Sequence, residues 1–298
     1  MSISASMVKE LRERTGAGMM ECKKALVATE GDMEQAVEQL RTSGQAKADK
    51  KASRIAADGK VVIAANGTRA AVLEVNSETD FVAKDENFIA FVEAVAQSAL
   101  ASNIADVDAL NQATLDDGRT VEAARAELVA KVGENISVRR IDQVESDGQL
   151  GSYTHGSRIA AIVSLSGGDA DLARDIAMHV AASKPVCIDE SGVPDDTLER
   201  ERRIFSEQAA ESGKPPEIVE KMVTGRVAKF LKEVTLLGQP FVKDPDQTVG
   251  NLLKNANATV TSFVRYEVGE GIEKKAENFA DEVKKQIEDA KNKDNPEK

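Results

Sequence analysis

The feature that most constrains this fold is a pattern that occurs twice. Gly67-Thr68-Arg69-Ala70-Ala71-Val72-Leu73 is echoed by Gly156-Ser157-Arg158-Ile159-Ala160-Ala161-Ile162-Val163. Each copy follows a turn signal and a short apolar run. Asn66-Gly67 is a strong hairpin turn between the strands predicted at 60–65 and 69–75. His155-Gly156-Ser157 separates 150–154 from 158–165 in the same way. A second echo, Val138-Arg139-Arg140-Ile141 and Val264-Arg265-Tyr266-Glu267, gives each copy a later strand. The chain therefore reads as two related halves, each a small antiparallel sheet backed by helices, in the α+β class.

Composition limits what can fill those halves. Aromatic residues make up only 3% and Trp is absent, so the core must be built from Ala, Val, Leu and Ile. The 298 residues leave room for two or three modules with real cores. A net charge of −12 argues against broad binding to nucleic acid or anionic membranes. No run approaches the roughly 20 apolar residues of a membrane span. Met1-Ser2-Ile3-Ser4 lacks the regions of a signal peptide. Cys22 and Cys187 lie far apart and read as free thiols, so a reducing, cytoplasmic location is expected.

Residues 1–44 read as three short helices. Met7, Val8 and Leu11 mark the first, and Cys22, Ala25 and Leu26 the second. Asp32 caps a third with Met33, Ala36, Val37 and Leu40 inward, and Gly44 is expected to stop it. The intervening turn spends Gly16, Gly18, Met19 and Met20. Glycines allow close backbone approach, and exposed methionines suit an adaptable contact surface. The plainer reading has the methionines plugging a thin core, and at least one is expected to do so. Residues 45–58, with Lys47, Lys50, Lys51 and Arg54 among alanines, read as a partly helical linker. Without aromatic interleaving they make a poor nucleic-acid arm.

The first half spans 59–147, with helices expected near 84–101 and 117–131 and a strand at 136–141. The second spans 148–268, with helices near 169–183 and 247–256 and a strand at 260–268. Residues 194–232 interrupt it as an antiparallel helical hairpin turning at Gly213-Lys214-Pro215-Pro216. A C-terminal module and tail, 269–298, is expected to form a helix with Phe279, Val283 and Ile287 on one side.

Between the second strand and the next helix lies Glu78-Thr79-Asp80-Phe81-Val82-Ala83-Lys84. Binding residues concentrate on loops held by rigid elements. The plain alternative is that Thr79 or Asp80 caps the helix and Phe81 staples its first turn to the core. Asp80 and Asp85 could also be read as an acid/base or metal-binding pair. They are five apart across a helix start and point differently. No P-loop, serine elbow or metal-ligand spacing accompanies them. His155 and His179 are the only histidines, and a lone helical His such as His179 is more often hydrogen-bonded structure than a ligand.

The run Asn76-Ser77-Glu78-Thr79-Asp80-Phe81-Val82-Ala83-Lys84 resembles the TDFVAK motif of bacterial translation elongation factor Ts. Residues 8–20, the Val132-Gly133-Glu134-Asn135-Ile136 run, the runs around His155 and His179, and Val268-Gly269-Glu270-Gly271-Ile272 are similar to the same family. The resemblance implies a non-enzymatic exchange factor that acts on the GDP-bound and nucleotide-free forms of the GTPase elongation factor Tu. It implies a ubiquitin-associated-like fold for 1–44, gripping the GTPase domain through Val8, Lys9, Arg12, Met19 and Met20. It further implies a magnesium-disturbing loop of Thr79, Asp80, Phe81 and Val82, with Val132 and Gly133 beside it. His155 and His179 fall where the second half would meet the partner's β-barrel domain. No cofactor, metal, nucleotide, nucleic acid or membrane binding is expected of the chain itself. A ubiquitin-associated-type adaptor that only tethers a partner is the competing reading.

Overall fold

The computed structural model describes residues 3–211 and 213–273. Three helices open the chain, α1 (Ala5–Thr15), α2 (Met19–Ala28) and α3 (Met33–Lys51). Ser4 and Asp32 cap α1 and α3 by accepting the amides of Met7 and Gln35. Val8, Leu11, Cys22, Ala25, Leu26 and Ala36 form a small shared core.

The first half follows as β1 (Asp58–Asn66), β2 (Arg69–Ser77), α4 (Asp80–Ala83), α5 (Glu86–Ser102), α6 (Val107–Gln112), α7 (Val121–Val132) and β3 (Ile136–Glu145). The second half runs β4 (Gln149–His155), β5 (Ile159–Ser166), α8 (Ala170–Ser183), α9 (Asp195–Ala210), α10 (Pro216–Val234), β6 (Pro240–Phe241), β7 (Asp244–Thr248), α11 (Val249–Asn255) and β8 (Thr259–Glu267). The expected halves have matching sheets, ordered β1-β2-β3 and β4-β5-β8, antiparallel throughout. In each, a hairpin is joined by a strand that returns after the helices.

One face of each sheet packs on its own helices. Leu73, Val75, Phe88, Val92, Val95, Val129 and Ile141 are among the residues that fill the first half. Val163, Leu165, Ile176, Val180, Leu253 and Val260 are among those that fill the second. A further cluster, with Val61, Val72, Val144, Ile162 and Tyr266, joins strands of both sheets. The fully buried Glu74 belongs to that seam. It accepts Arg140 Nε at 2.5 Å, Arg139 at 3.1 Å and the Gly269 amide at 2.7 Å. Burial alone would push its carboxyl pKa up. The bonds from Gly269, Asn76 and Arg140 overcome that and hold it below the usual range, so a buried charge is paired on several sides.

Three expectations change here. First, α3 does not stop at Gly44 but runs on to Lys51, so much of the expected linker is helix. Gly44 is buried against α7, and this packing outweighs its weak helix propensity. Second, α6 and β7 occupy segments with no predicted element, and residues 238–242, expected to help complete the second sheet, instead supply β6 to a separate pair with β7. Third, Val8 and His179, which the resemblance placed on contact surfaces, are interior residues, in keeping with the local reading of each. The helical hairpin is α9 with α10, closed by Phe205 edge-on to Phe230 at 6.4 Å between ring centroids. The helix expected around Phe279, Val283 and Ile287 lies outside the described residues.

Candidate functional site

Strand β2 delivers the chain to a turn that a second turn clamps. Thr79 is the N-cap of α4, its Oγ1 accepting from Val82 N at 3.4 Å. Its backbone N–H and its hydroxyl both donate to Glu134, at 3.0 and 2.7 Å. The preceding Glu78 accepts from the Asn135 amide at 2.6 Å and pairs with Arg54 at 3.4 Å. Asn135 is itself buried, and its side-chain amide donates to the Arg54 carbonyl at 2.8 Å. The turn after β2, the turn after α7 and the chain leaving α3 therefore form one hydrogen-bonded unit.

That unit presents Phe81 to solvent. Val82 and Ala83 are buried in the first-half core, while Phe81 is 81% exposed. The ring does not staple the helix. A phenyl left 81% exposed on a tightly held turn forgoes most of the about 2–3 kcal/mol that burial of the ring would contribute. Beside it, Asp80 accepts from Lys84 Nζ at 2.7 Å, and that hydrogen bond holds its carboxyl below the ordinary range. Asp80 thus places an ionised carboxylate next to an exposed ring at neutral pH.

Asp85 does something else. It caps α5 by accepting from Asn87 N at 2.9 Å and Phe88 N at 3.3 Å, and the Asn87 side-chain bond leads in lowering its pKa. The two aspartates have separate partners and both favour the ionised form, so they do not form a general acid/base pair. Among the described residues no group of three or more His, Cys, Asp or Glu is placed to hold a metal ion. No described helix is long and apolar enough to cross a membrane.

The other expected contact residues divide by exposure. Met19 and Met20 are 60% and 64% exposed, so neither plugs the bundle core. Lys9 and Arg12 point outward on α1, whereas Val8 is inside, packed with Leu11 and Cys22. Val132 is half-buried. Gly133 is exposed and ends α7 in the left-handed region at φ 82°, where a side chain would be strained. Its carbonyl accepts from Lys51 Nζ. Lys131 lies close to the α1–α2 turn, where a Cβ on Gly16 would be 3.8 Å from its Cδ, and its Nζ donates to Asn87 at 2.7 Å.

His155 is exposed at the end of β4 and stacks on Tyr153 of the same strand. His179 corrects its expected place on a contact surface. Its ring is fully buried beside Phe241, with Nδ1 accepting from Val242 N at 3.2 Å and Nε2 bonded to Gln239 Oε1 at 2.9 Å. The first bond requires a bare Nδ1, so Nε2 carries the proton. Burial pushes its pKa down. The reason is positional: it lies on the inner face of α8 with Ile176 and Val180.

The family model described as elongation factor TS matches residues 78–270, which include this entire clamped loop. A protein of Thioalkalivibrio sulfidiphilus, named elongation factor Ts, is 64% identical over 97% of this chain and 100% of its own length. The chain belongs to the elongation factor Ts family. Elongation factors Ts of Methylococcus capsulatus and of Legionella pneumophila strain Lens are 58% and 59% identical, each over 96% of this chain and 99% of their own lengths. The structure adds Glu78, Glu134 and Asn135 to the residues that sequence reasoning singled out in this member of the elongation factor Ts family. Glu134 and Asn135 sit in the Val132–Ile136 run, but their partners are 55 and 57 positions away in the chain.

Proposed function

We propose that this chain is the guanine-nucleotide exchange factor of elongation factor Tu in translation elongation, acting through the Asp80-Phe81 loop. The observation that carries this reading is Phe81, a solvent-exposed ring on a turn clamped by Glu134 and Asn135. Membership of the elongation factor Ts family supports the partner.

A GTPase holds magnesium between the nucleotide phosphates and its own Ser/Thr and Asp groups. An exchange factor must bind the nucleotide-free GTPase more tightly than the GDP-bound form. By linkage it then weakens GDP by the same factor. Phe81 supplies apolar burial against partner helices, on the order of 2–3 kcal/mol for a fully buried ring. Asp80 brings negative charge and an acceptor to the metal's surroundings and disturbs its ligation. Thr79 and Val82 hold the loop from inside. Val132 and Gly133 lie alongside, and Lys9, Arg12, Met19 and Met20 grip the GTPase domain. His155 faces the partner's β-barrel domain, while Val8 and His179 contribute by packing. The chain carries out no chemistry, holds no cofactor and works in the cytoplasm.

The test is release of a fluorescent GDP from the cognate elongation factor Tu. Strong acceleration by the full chain supports exchange. Binding without acceleration would instead support a tether through the N-terminal helices.

A further inference from the structure

Helix α3 starts in the N-terminal bundle and ends at the clamped loop. Ala36 belongs to the bundle core, and Ala48 to the first-half core. Between them α3 crosses α7 at small residues. A Cβ on Gly44 would lie 3.8 Å from Ala130 Cβ and 3.9 Å from the Ala126 carbonyl oxygen, ordinary contact with neither void nor clash. Polar ties flank the crossing. Gln45 donates to Glu122 at 3.0 Å, and Arg41 pairs with Glu127 at 3.7 Å. At the far end Lys51 reaches the Gly133 carbonyl, Asn135 takes the Arg54 carbonyl, and Arg54 pairs with Glu78. The 19 residues of α3 make a rod of roughly 28 Å. A cleft of about 600 Å³ lies beside this crossing, lined in part by Val37, Leu40, Phe91 and Leu128.

We propose that α3 is a strut, with Gly44 and Asn135 as positioning residues. It holds the bundle surface carrying Met19 and Met20 at a fixed spacing from Phe81, so both engage one GTPase at once. The inference rests on the exchange reading above. A rigid connection makes the second contact intramolecular with little ordering cost, whereas a flexible linker dilutes it. It differs from the linker expected at 45–58, because α3 continues through Lys51.

The test locks and then displaces the strut. Gly44→Cys with Ala130→Cys, on a Cys187→Ser background, places two Cβ atoms at 3.8 Å, within the disulfide range. Oxidised glutathione should close the bridge, as read by mass. Oxidised and reduced protein should give the same half-saturating concentration in GDP release within about twofold. Gly44→Leu, which strengthens helix propensity but forces α3 off Ala130, should raise that concentration by on the order of tenfold or more at an unchanged maximal rate. Gly44→Ala should behave as the parent. Three results would overturn the strut: a bridge that does not form, activity lost on oxidation and restored by reductant, or an unchanged half-saturating concentration in Gly44→Leu. Failure of the parent chain itself to release GDP would count against the exchange reading instead, and mass analysis of the bridge would still report on the α3–α7 crossing.

Discussion

The two halves of this molecule share a plan and part company at one turn. In both, the second strand of a hairpin leads through a short turn to a capped helix. In the second half that turn is Gly167-Gly168-Asp169. Gly167 sits at φ 80°, where a Cβ would come within 2.3 Å of the Asn257 carbonyl oxygen, and Asp169 caps α8 at 2.8 Å. Nothing protrudes. In the first half the corresponding turn is Glu78-Thr79, clamped by Glu134 and Asn135, followed by the extra helical turn α4 that carries Phe81 outward. The aromatic rings teach the same lesson. Phe241 of the second half is 5% exposed beside His179, whereas Phe81 is 81% exposed. Two versions of one plan thus serve different ends: one turn closes a core, and the other holds a side chain that the fold does not need.

Substitutions on the two sides test this contrast. The largest expected effect is on stability and falls on the second half: Phe241→Ala should cost about 3–5 kcal/mol, seen as a lowered midpoint in denaturant. Phe81→Ala should stay within about 0.5 kcal/mol of the parent, and equal losses in the two would erase the distinction. Next comes the clamp. Glu134→Ala leaves the Thr79 amide and hydroxyl without their acceptor, at about 1–2 kcal/mol of local order. Hydrogen exchange at the Thr79 amide should quicken by about tenfold or more, with GDP release slowed. Unchanged exchange there would mean the turn is held by something else.

The smallest effect is the pH response of His179. Burial lowers its folded pKa beneath the ordinary value of about 6.5. Above that value the ring is neutral in both folded and unfolded chains, and its contribution to stability is complete. Below it the unfolded chain takes up a proton first, so stability falls as pH drops, by at most about 1.4 kcal/mol at pH 5.5. Thermal unfolding of the parent and of His179→Gln at pH 7.5 and 5.5 should show a smaller drop for the variant.

Much of the fold was legible because its signals are local. Asn66-Gly67 and the apolar runs beside it specify a hairpin, and the repeat of that pattern specifies the second sheet. Local signals mislead where tertiary contacts decide. Gly44 has the look of a helix stop, but α3 runs through it because it packs on Ala126 and Ala130 of α7, where only a small residue fits. His179 reads locally as a hydrogen-bonded structural histidine, as Gln239 and Val242 bear out, whereas the family resemblance placed it on a contact surface. Phe81 was prominent from the start, but its exposure was not, since the same spacing suits a hydrophobic staple. Glu78, Glu134 and Asn135 are polar residues in turns, and only the long-range pairing of those turns gives them a role.

The most direct measurement is the rate of fluorescent GDP release from elongation factor Tu at saturating Phe81→Ala, beside the unfolding midpoint of the same sample. The midpoint should be unchanged and the release rate lower by roughly 30- to 150-fold, the equivalent of the 2–3 kcal/mol of a buried ring. Parental release by the folded variant would contradict exchange through Phe81.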